Sequence, residues 1–377
     1  MAVPELSIVM PCHNRAHDLV NVLRAYDRQY GDDEFELIAV DDASSDATYE
    51  VLMSYRPARY QMHVERTPEN KGPAMARNQG ITLANAPVIL FVGDDILPDE
   101  RLVLGHITAH RHYNPPQVAV LGRCDWPDDL PVNTLMAHID GIGAQQFSYH
   151  FLQDRHEYDF RHFYTANISI KRDFLCSLDH WFDPTFRFAA YEDAELAYRL
   201  SKRGLRIVYS SSLVGYHYHY HSIWSFSQRQ RKTGMMGAVL VAKHPDLRYT
   251  FRAHDVRILN LFRQLREIIT PFSLPLLEML EEMACHLASF YEWNPNRLLD
   301  RLYLSVLDYF YYDGFIQGRF GNSKFALRLR SAHARRYLLP TLKWYLEQAE
   351  QLGIPAPDAS RLVWFDKLAK DKTITIA

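Results

Sequence analysis

The sequence predicts an α/β domain with a mostly parallel central sheet, followed by an all-α C-terminal domain. Short apolar runs alternate with helix-length amphipathic segments through residues 1–245, the pattern of right-handed βαβ crossovers. The run Val88–Val92 is uninterrupted, as expected of a strand that is buried on both faces. After Pro245 the segments become Leu-rich and follow only the helical period. We therefore expect domains at residues 1–245 and 246–377, in line with a length of 377 residues.

Composition places the chain among ordinary globular proteins. Hydrophobic residues make up 47% and charged residues 23%, and the net charge of −3 gives no general attraction to nucleic acid. The 4 cysteines are scattered and show no CxxC spacing, which indicates neither a disulfide framework nor a zinc site. No signal-peptide pattern and no apolar run long enough for a membrane span is found, so we expect a cytoplasmic protein with at most peripheral membrane contact.

The first domain can be divided into elements from the N-terminus onward. A strand over Leu6–Met10 ends at Pro11, and a helix follows from Leu19. The next elements are strands at Phe35–Val40 and Tyr60–Val64, a glycine-opened helix within residues 71–84, the strand Val88–Val92, a helix opened by acidic residues near 192, and a strand at Leu205–Ser210.

Two of the predicted strands end in paired acids, Asp41-Asp42 and Asp94-Asp95. Either pair alone is explained equally well as a turn or a helix cap. Because the carboxyl ends of parallel strands form the ligand-binding edge of an open sheet, the coincidence favours a site there. Carboxylate oxygens suit Mg²⁺ or Mn²⁺ bound to a diphosphate.

Five segments resemble, in order, the motifs of the family 2 glycosyltransferases, which have the Rossmann-like GT-A fold and use nucleotide-sugar donors. They are SIVMPCHNR, AVDDASSDAT, NKGPAMARNQGI, FVGDDILP and YEDAELAYRLSKRG. The resemblance covers about the first 245 residues and implies a UDP-sugar as the donor. It does not specify the sugar.

The resemblance also implies donor-binding roles for individual residues. They are Pro11 and Asn14 beside the base, Asp42 with Asp41 as its hydrogen-bonding acids, Lys71 and Arg77 on the segment facing the donor, Asp94 near the ribose and sugar, Asn167 beside the transferred sugar, and Arg231 among the cations near the diphosphate. For each cation alone, a solvated surface role is the more ordinary explanation. Gln228 and Arg231 are similar to the QxxRW signature of polymerising relatives, but Lys232 replaces the tryptophan, which favours addition of a single sugar.

A divalent cation, Mn²⁺ or Mg²⁺, is implied at Asp95, with His217 and His219 as further ligands. In a strand, His217, His219 and His221 would share one face, although for at least one of them an outward-facing ring on a half-exposed strand is the more ordinary explanation. Gly93 stands at the first acidic position of the metal motif, which removes one ligand. The sequence therefore offers a metal one acidic ligand fewer than in relatives that carry an acid there.

Glu192 and Asp193 open a helix, where acids are favoured by the positive end of the helix dipole. By themselves they are an ordinary acidic first turn. An inverting transfer needs a carboxylate that takes the proton of the acceptor hydroxyl. The resemblance assigns this role to Asp193, with Glu192 as its positioning neighbour.

The sequence therefore predicts an inverting glycosyltransferase of bacterial surface-polysaccharide biosynthesis, with a glycan, lipid-linked or protein acceptor. The alternative is a non-catalytic nucleotide- or glycan-binding scaffold of the same fold, which we would expect to have lost the acids at the strand ends. The C-terminal domain is assigned to acceptor, membrane-surface or homo-oligomer contacts. The basic stretch Arg319–Arg336 suits any of these, or a solvated face.

Overall fold

The computed structural model describes residues 3–142, 145–250, 274–291, 296 and 298–354. Their Cα positions separate into two compact units. The first lies within Met1–Val132 and Asp140–Tyr220, and the second within Asn133–Ile139 and His221–Ala377. The functional boundary expected at residue 245 stays a prediction. The segment LNLFRQLREII at 259–269, whose amphipathic pattern predicts a helix, lies outside the described residues.

One sheet organises the first unit. In the described residues its strands are β1 Leu6–Cys12, β2 Phe35–Asp41, β3 Gln61–Arg66, β4 Val88–Val92, β5 Ile96–Pro98, β6 Val118–Asp125, β7 Glu157–Tyr158, β8 Asn167–Lys171 and β9 Arg206–His217. Their order is β3-β2-β1-β4-β8-β6-β9-β5, with β7 beside β9. The run from β3 to β4 is parallel, and β8 is antiparallel to both neighbours. The predicted α/β fold is confirmed.

Helices accompany this sheet and build the second unit. In the described residues they are α1 Leu19–Asp27, α2 Thr48–Ser54, α3 Pro73–Leu83, α4 Leu102–His112, α5 Thr134–Ile142, α6 Arg172–Leu175, α7 Glu192–Ser201, α8 Ile223–Lys243, α9 Leu274–Phe290, α10 Leu299–Phe320, α11 Lys324–His333 and α12 Leu339–Gln351. A π-helical turn, Ala334–Leu338, joins α11 to α12.

Apolar residues cover both faces of the sheet. Val9 of β1 packs in one cluster with Ala74 and Ile81 of α3, whereas Ile8 packs in another with Leu19 of α1. Successive residues of a strand point to opposite faces, so a strand that is covered by helices on both faces needs a continuous apolar run. The uninterrupted runs in the sequence are therefore explained by helices on both sides.

Backbone contact between two helices characterises the second unit. A Cβ on Gly234 of α8 would overlap the carbonyl oxygen of Tyr311 in α10, and one on Gly314 would overlap that of Arg231. Only glycine allows two helices to approach this closely. The described part of this unit is helical, as predicted, and none of the described helices is long and apolar enough to cross a membrane.

Candidate functional site

A carboxylate and two imidazoles meet where β4 ends. The Asp95 Oδ2 atom lies 3.4 Å from His217 Nε2 and 3.3 Å from His219 Nδ1, and one ligand atom from each lies within 4.8 Å of the others. The β5–β9 pairing produces this meeting, because it aligns the residue after Asp95 with His217 and lets Tyr218 N–H donate to the Asp95 carbonyl at 2.8 Å. Stacking on Trp126, with ring centroids 5.3 Å apart, holds the His217 ring.

The two histidines converge for a different reason from the one predicted. β9 ends at His217, so residues 217, 219 and 221 do not share one strand face. The chain turns instead, and His219 N–H donates to the His217 carbonyl at 3.0 Å. His221 belongs to the second unit.

Arg15 joins this cluster, and sequence reasoning missed it. Its Nη2 atom donates to Asp95 Oδ2 at 2.7 Å and lies 2.9 Å from His219 Nδ1, while Nε lies 3.4 Å from Asp94 Oδ1. Its backbone N–H is fixed by Thr48 Oγ1 at 2.7 Å. Only its position in the motif SIVMPCHNR could have indicated a role, because the partners of its side chain are 79 to 204 residues away.

The pKa values of the two adjacent aspartates are shifted in opposite directions. Burial and the charge of Asp95 raise the pKa of Asp94 to about 7, against the opposing effect of Arg15. Burial would also raise the pKa of Asp95, but His217, His219 and Arg15 outweigh it and hold that pKa well below its ordinary value. Asp95 is thus the ionised member of the pair and the better ligand for a cation.

Gly93 leaves room for the Asp95 carboxylate. A Cβ at this position would lie 2.7 Å from Asp95 Oδ1 and 3.2 Å from Ile96 Cγ1. Real Cβ atoms do not approach oxygen this closely, so a side chain here would displace the carboxylate. The glycine that replaces the first acid of the motif therefore allows Asp95 to keep this orientation.

The acids at the end of β2 fix the surrounding loops. Asp42 accepts from the backbone N–H groups of Lys71 at 3.0 Å and Gly72 at 2.7 Å, and from the Thr67 hydroxyl at 2.9 Å. Asp41 is fully buried and pairs with Arg66 at 3.1 Å. Both carboxylates already serve the protein's own loops, and the predicted contact of Asp42 with a base stays a prediction.

The other residues predicted at the base lie on neighbouring loops. Pro11 is the penultimate residue of β1. Asn14 is exposed, has a positive φ of 52°, and accepts the Ser45 N–H at 2.8 Å. The Lys71 side chain is half-exposed and pairs with Glu69 at 3.1 Å. Pro11 and Asn14 thus border the same strand ends as the metal cluster.

A second acidic centre lies at the start of α7. The Arg77 guanidinium donates to Glu192 Oε1 at 2.9 Å, and both side chains are buried. Within the described residues, Arg77 Nε and Glu192 Oε2 are buried without a hydrogen bond. The donor contact of Arg77 stays a prediction, and in the structure its guanidinium pairs with Glu192.

Asp193 follows Glu192 and is partly exposed. Burial and the neighbouring Glu192 raise the pKa of Asp193 to about 7, while Arg77 and the backbone N–H groups of Ala194 and Thr165 oppose the rise. The residue before the pair, Tyr191, has a left-handed φ of 65°, which costs about 1 kcal/mol or more outside glycine. A base that works near neutral pH needs a pKa of this size.

Two predicted donor-binding residues are engaged elsewhere. The Asn167 side chain is fully buried, accepts from His106 Nε2 at 3.0 Å, and donates to the carbonyls of Arg123 and Leu213 at 3.0 and 2.9 Å. Its amide joins β6, β8 and β9, so the structure does not support a contact with the sugar. Arg231 lies in the second unit, where its side chain forms a buried ion-pair network with Asp313, Glu281 and Arg330.

A family model matches part of the chain. The model of Glycosyl transferase family 2 matches residues 7–176. This segment, 170 of the 377 residues, is similar to that family. The match contains the strand ends around Asp42 and Asp94-Asp95 and stops before Glu192, Asp193 and the two histidines. The roles of those later residues therefore rest on geometry.

Two bacterial glycosyltransferases resemble parts of the chain. An uncharacterized glycosyltransferase of Bacillus subtilis is 35% identical over 106 residues, which is 28% of this chain and 27% of that protein. Validoxylamine A glucosyltransferase of Streptomyces hygroscopicus subsp. jinggangensis is 28% identical over 275 residues, 65% of this chain and 62% of that protein. The chain thus spans less than two thirds of the length of either.

A solved structure supports the GT-A fold. It is a mannosyltransferase of Pyrobaculum calidifontis in complex with GDP-Man and Mn²⁺, with a TM-score of 0.54 and 16% identity, covering 85% of this chain and 89% of that one. At this identity the likeness concerns the fold alone.

The cluster of Asp95, His217 and His219 fits a divalent cation by its chemistry. It offers one ionised carboxylate oxygen and two imidazole nitrogens within 4.8 Å of one another. Imidazole suits transition metals, whereas Mg²⁺ prefers oxygen ligands and water. Asp95, His217 and His219 therefore form a candidate site for a divalent cation.

Proposed function

We propose that the chain is an inverting glycosyltransferase that moves a sugar from a nucleotide donor to an acceptor hydroxyl. One observation carries the proposal. Asp95 lies against Arg15, His217 and His219 where β4 ends, whereas Asp193 lies beside Glu192 at the start of α7, where burial raises its pKa to about 7. Carboxylates whose environments separate their pKa values are the arrangement in which one serves as an electrostatic ligand and the other moves a proton.

In the proposed step the acceptor oxygen attacks the anomeric carbon opposite the diphosphate. Asp193 takes the proton of that hydroxyl, a new C–O bond forms, and the bond between the anomeric carbon and the diphosphate oxygen breaks. The electron pair leaves on the diphosphate. Mn²⁺ held by Asp95, His217 and His219 would supply electrostatic stabilisation of this leaving group.

The remaining residues around the strand ends are proposed to hold the donor. Pro11 and Asn14 border the base, Asp42 keeps the loop containing Lys71 closed over it, and Asp94 faces the ribose and sugar. The His13 backbone N–H fixes Asp94 Oδ2 at 3.0 Å, which supports a preorganised role for that acid. We infer no donor contact from Asn167 or Arg231, since their side chains are engaged elsewhere.

A UDP-sugar is the proposed donor, in agreement with the family resemblance. The relative that matches 65% of this chain is named a glucosyltransferase, so glucose is the first sugar to test. The structural neighbour is described with GDP-Man and Mn²⁺, so guanosine donors belong in the same screen. The proposed acceptor is a hydroxyl of a bacterial surface glycan, a lipid-linked sugar or a protein, with residues 246–377 contributing acceptor, membrane-surface or subunit contacts.

A donor screen tests this function. UDP-glucose, UDP-N-acetylglucosamine and GDP-mannose are incubated with the full chain, with and without Mn²⁺, and release of the nucleotide is measured. Release from one donor that requires Mn²⁺ supports the proposal. If the protein binds a nucleotide sugar but cleaves none of the donors, with or without a panel of glycan and lipid-linked acceptors, it is a binding scaffold instead.

A further inference from the structure

Arg15 binds the same two atoms that a metal ion would need. Its Nη2 atom lies 2.7 Å from Asp95 Oδ2 and 2.9 Å from His219 Nδ1, and both are ligand atoms of the candidate metal site. A hydrogen bond from a guanidinium and a bond to a metal use the same lone pairs. One guanidinium nitrogen therefore engages two of the three ligands of the proposed site.

We propose that Arg15 is a gate for the metal site. It neutralises Asp95 in the donor-free protein and competes with the divalent cation, and it leaves when a nucleoside diphosphate offers it a better anion. This inference deepens the proposed function and rests on it. It concerns binding, and it assigns no proton transfer to Arg15.

Electrostatics makes the two cations mutually exclusive at this site. A guanidinium stays charged at all accessible pH values, so it cannot yield its place by losing a proton. The Arg15 side chain is 22% exposed and that of Asp95 is 15% exposed, so water screens a pair of adjacent positive charges only in part. The metal site of the free protein is consequently weakened as long as Arg15 remains in contact with Asp95.

The anchoring of Arg15 allows its side chain to change partner while its backbone stays fixed. The backbone N–H is held by Thr48 Oγ1, and the preceding residue, Asn14, is fixed through its own N–H to Ser44 Oγ at 2.9 Å. The Arg15 side chain contacts Asp94, Asp95 and His219. Since the loop directly follows β1 at the carboxyl edge of the sheet, a diphosphate bound there comes within reach of the guanidinium, which matches phosphate oxygens in bidentate fashion.

Mn²⁺ binding to the metal-stripped full chain, measured by electron paramagnetic resonance without any donor, tests the gate. The wild type is compared with Arg15→Met and Arg15→Lys. The matched control is Arg111→Met, which removes an arginine that pairs with Glu5 and Asp33 away from the cluster. Asp95→Asn identifies the signal, because it should abolish binding at this site.

We expect Arg15→Met to bind Mn²⁺ about tenfold more tightly than the wild type, a size typical of coupling between two sites. The Mn²⁺ affinity of Arg15→Lys should lie between those of the wild type and Arg15→Met, and the affinity of Arg111→Met should equal that of the wild type. Addition of UDP or GDP should tighten Mn²⁺ binding in the wild type and do so less in Arg15→Met. Unchanged or weaker Mn²⁺ binding by Arg15→Met overturns the gate, as does the absence of a signal that depends on Asp95.

The proposed function and the gate fail in different ways. Tighter Mn²⁺ binding by Arg15→Met in a protein that releases no nucleotide from any donor leaves the gate standing and removes the transferase. If transfer depends on metal but Arg15→Met does not change the Mn²⁺ affinity, the proposed transferase function is supported and the gate is wrong. Arg15 is then a structural ion-pair partner of Asp95. Circular dichroism of each variant excludes misfolding as the cause of a changed affinity.

Discussion

Arg77 donates to Glu192 Oε1 at 2.9 Å inside the protein and thereby ties α3 to the residue that precedes Asp193. Glu192 raises the pKa of Asp193 and Arg77 lowers it. The pKa of the proposed base thus depends on Glu192 from its own helix, α7, and on Arg77 from α3. Tyr164 also interacts with Asp193 electrostatically.

Glu192→Gln should shift the acidic limb of the pH–rate profile to lower pH. Glutamine can still accept the Arg77 hydrogen bond, but it no longer repels an ionised Asp193, so the pKa of the base should fall by up to about one unit. The matched control is Glu195→Gln, which breaks a buried ion pair with Arg199 on the same helix. Equal shifts in both variants would remove the specific role of Glu192.

Asp193→Asn should lower transfer by about 10² to 10⁴ in rate, the usual cost of losing a general base. Donor affinity should survive, because the substitution keeps the size of the side chain. Single-turnover transfer and calorimetric donor titration separate the two effects. Loss of donor binding in parallel with transfer would assign Asp193 to the donor site.

Asp193→Asn should also stabilise the protein above neutral pH. The folded-state pKa of Asp193 is about 7, above the value of 3.8 for an unperturbed carboxyl. Protonation is thus favoured in the folded state, and the stability associated with it is lost as pH rises from about 4 through 7. The difference in Tm between variant and wild type should be near zero at pH 4 and largest at pH 8. A difference that is constant with pH would contradict the raised pKa.

Gly93→Ala should weaken Mn²⁺ binding although it removes no ligand. The new Cβ would lie 2.7 Å from Asp95 Oδ1 and would force that carboxylate away from the histidines. Gly141→Ala is the control, since a Cβ there meets nothing within 4 Å. Mn²⁺ affinity equal to that of the wild type would show that the Asp95 orientation does not depend on the missing side chain.

Arg330 and Arg328, which the sequence placed in one basic stretch, should respond differently to charge reversal. Arg330 Nε pairs with the buried Asp313 at 2.5 Å, whereas Arg328 is exposed. Arg330→Glu should lower the free energy of unfolding by about 3 to 5 kcal/mol, and Arg328→Glu should leave it nearly unchanged. Urea denaturation followed by circular dichroism measures both. Equal stabilities would contradict the buried network.

Features that depend on local pattern could be predicted from the sequence. The strand Val88–Val92 and the helix after Gly72 were predicted correctly. Burial on both faces requires an uninterrupted apolar run, and the start of the helix is marked by glycine followed by proline, so both patterns are visible in the sequence. The acids after β2 and β4 could be found for the same reason. The fold class then followed from the alternation of such elements.

Long-range pairing could not be predicted in the same way. Arg15 and His219 are 204 residues apart, and only the β5–β9 register and the turn after His217 bring them together. Asn167 is a polar residue in a strand, and no local pattern tells whether its amide faces a ligand or the three backbone and side-chain groups that it bonds inside the protein. Arg330 likewise appeared exposed until its partner Asp313 was known.

The most direct test of the central claim is the configuration of the sugar that the protein first releases from an α-linked nucleotide donor in water. Proton NMR recorded before mutarotation distinguishes the anomers and needs no knowledge of the acceptor. With Asp193 as a base opposite the diphosphate, the first product should be the β anomer. An α anomer as the first product would show retention and would contradict the role of Asp193.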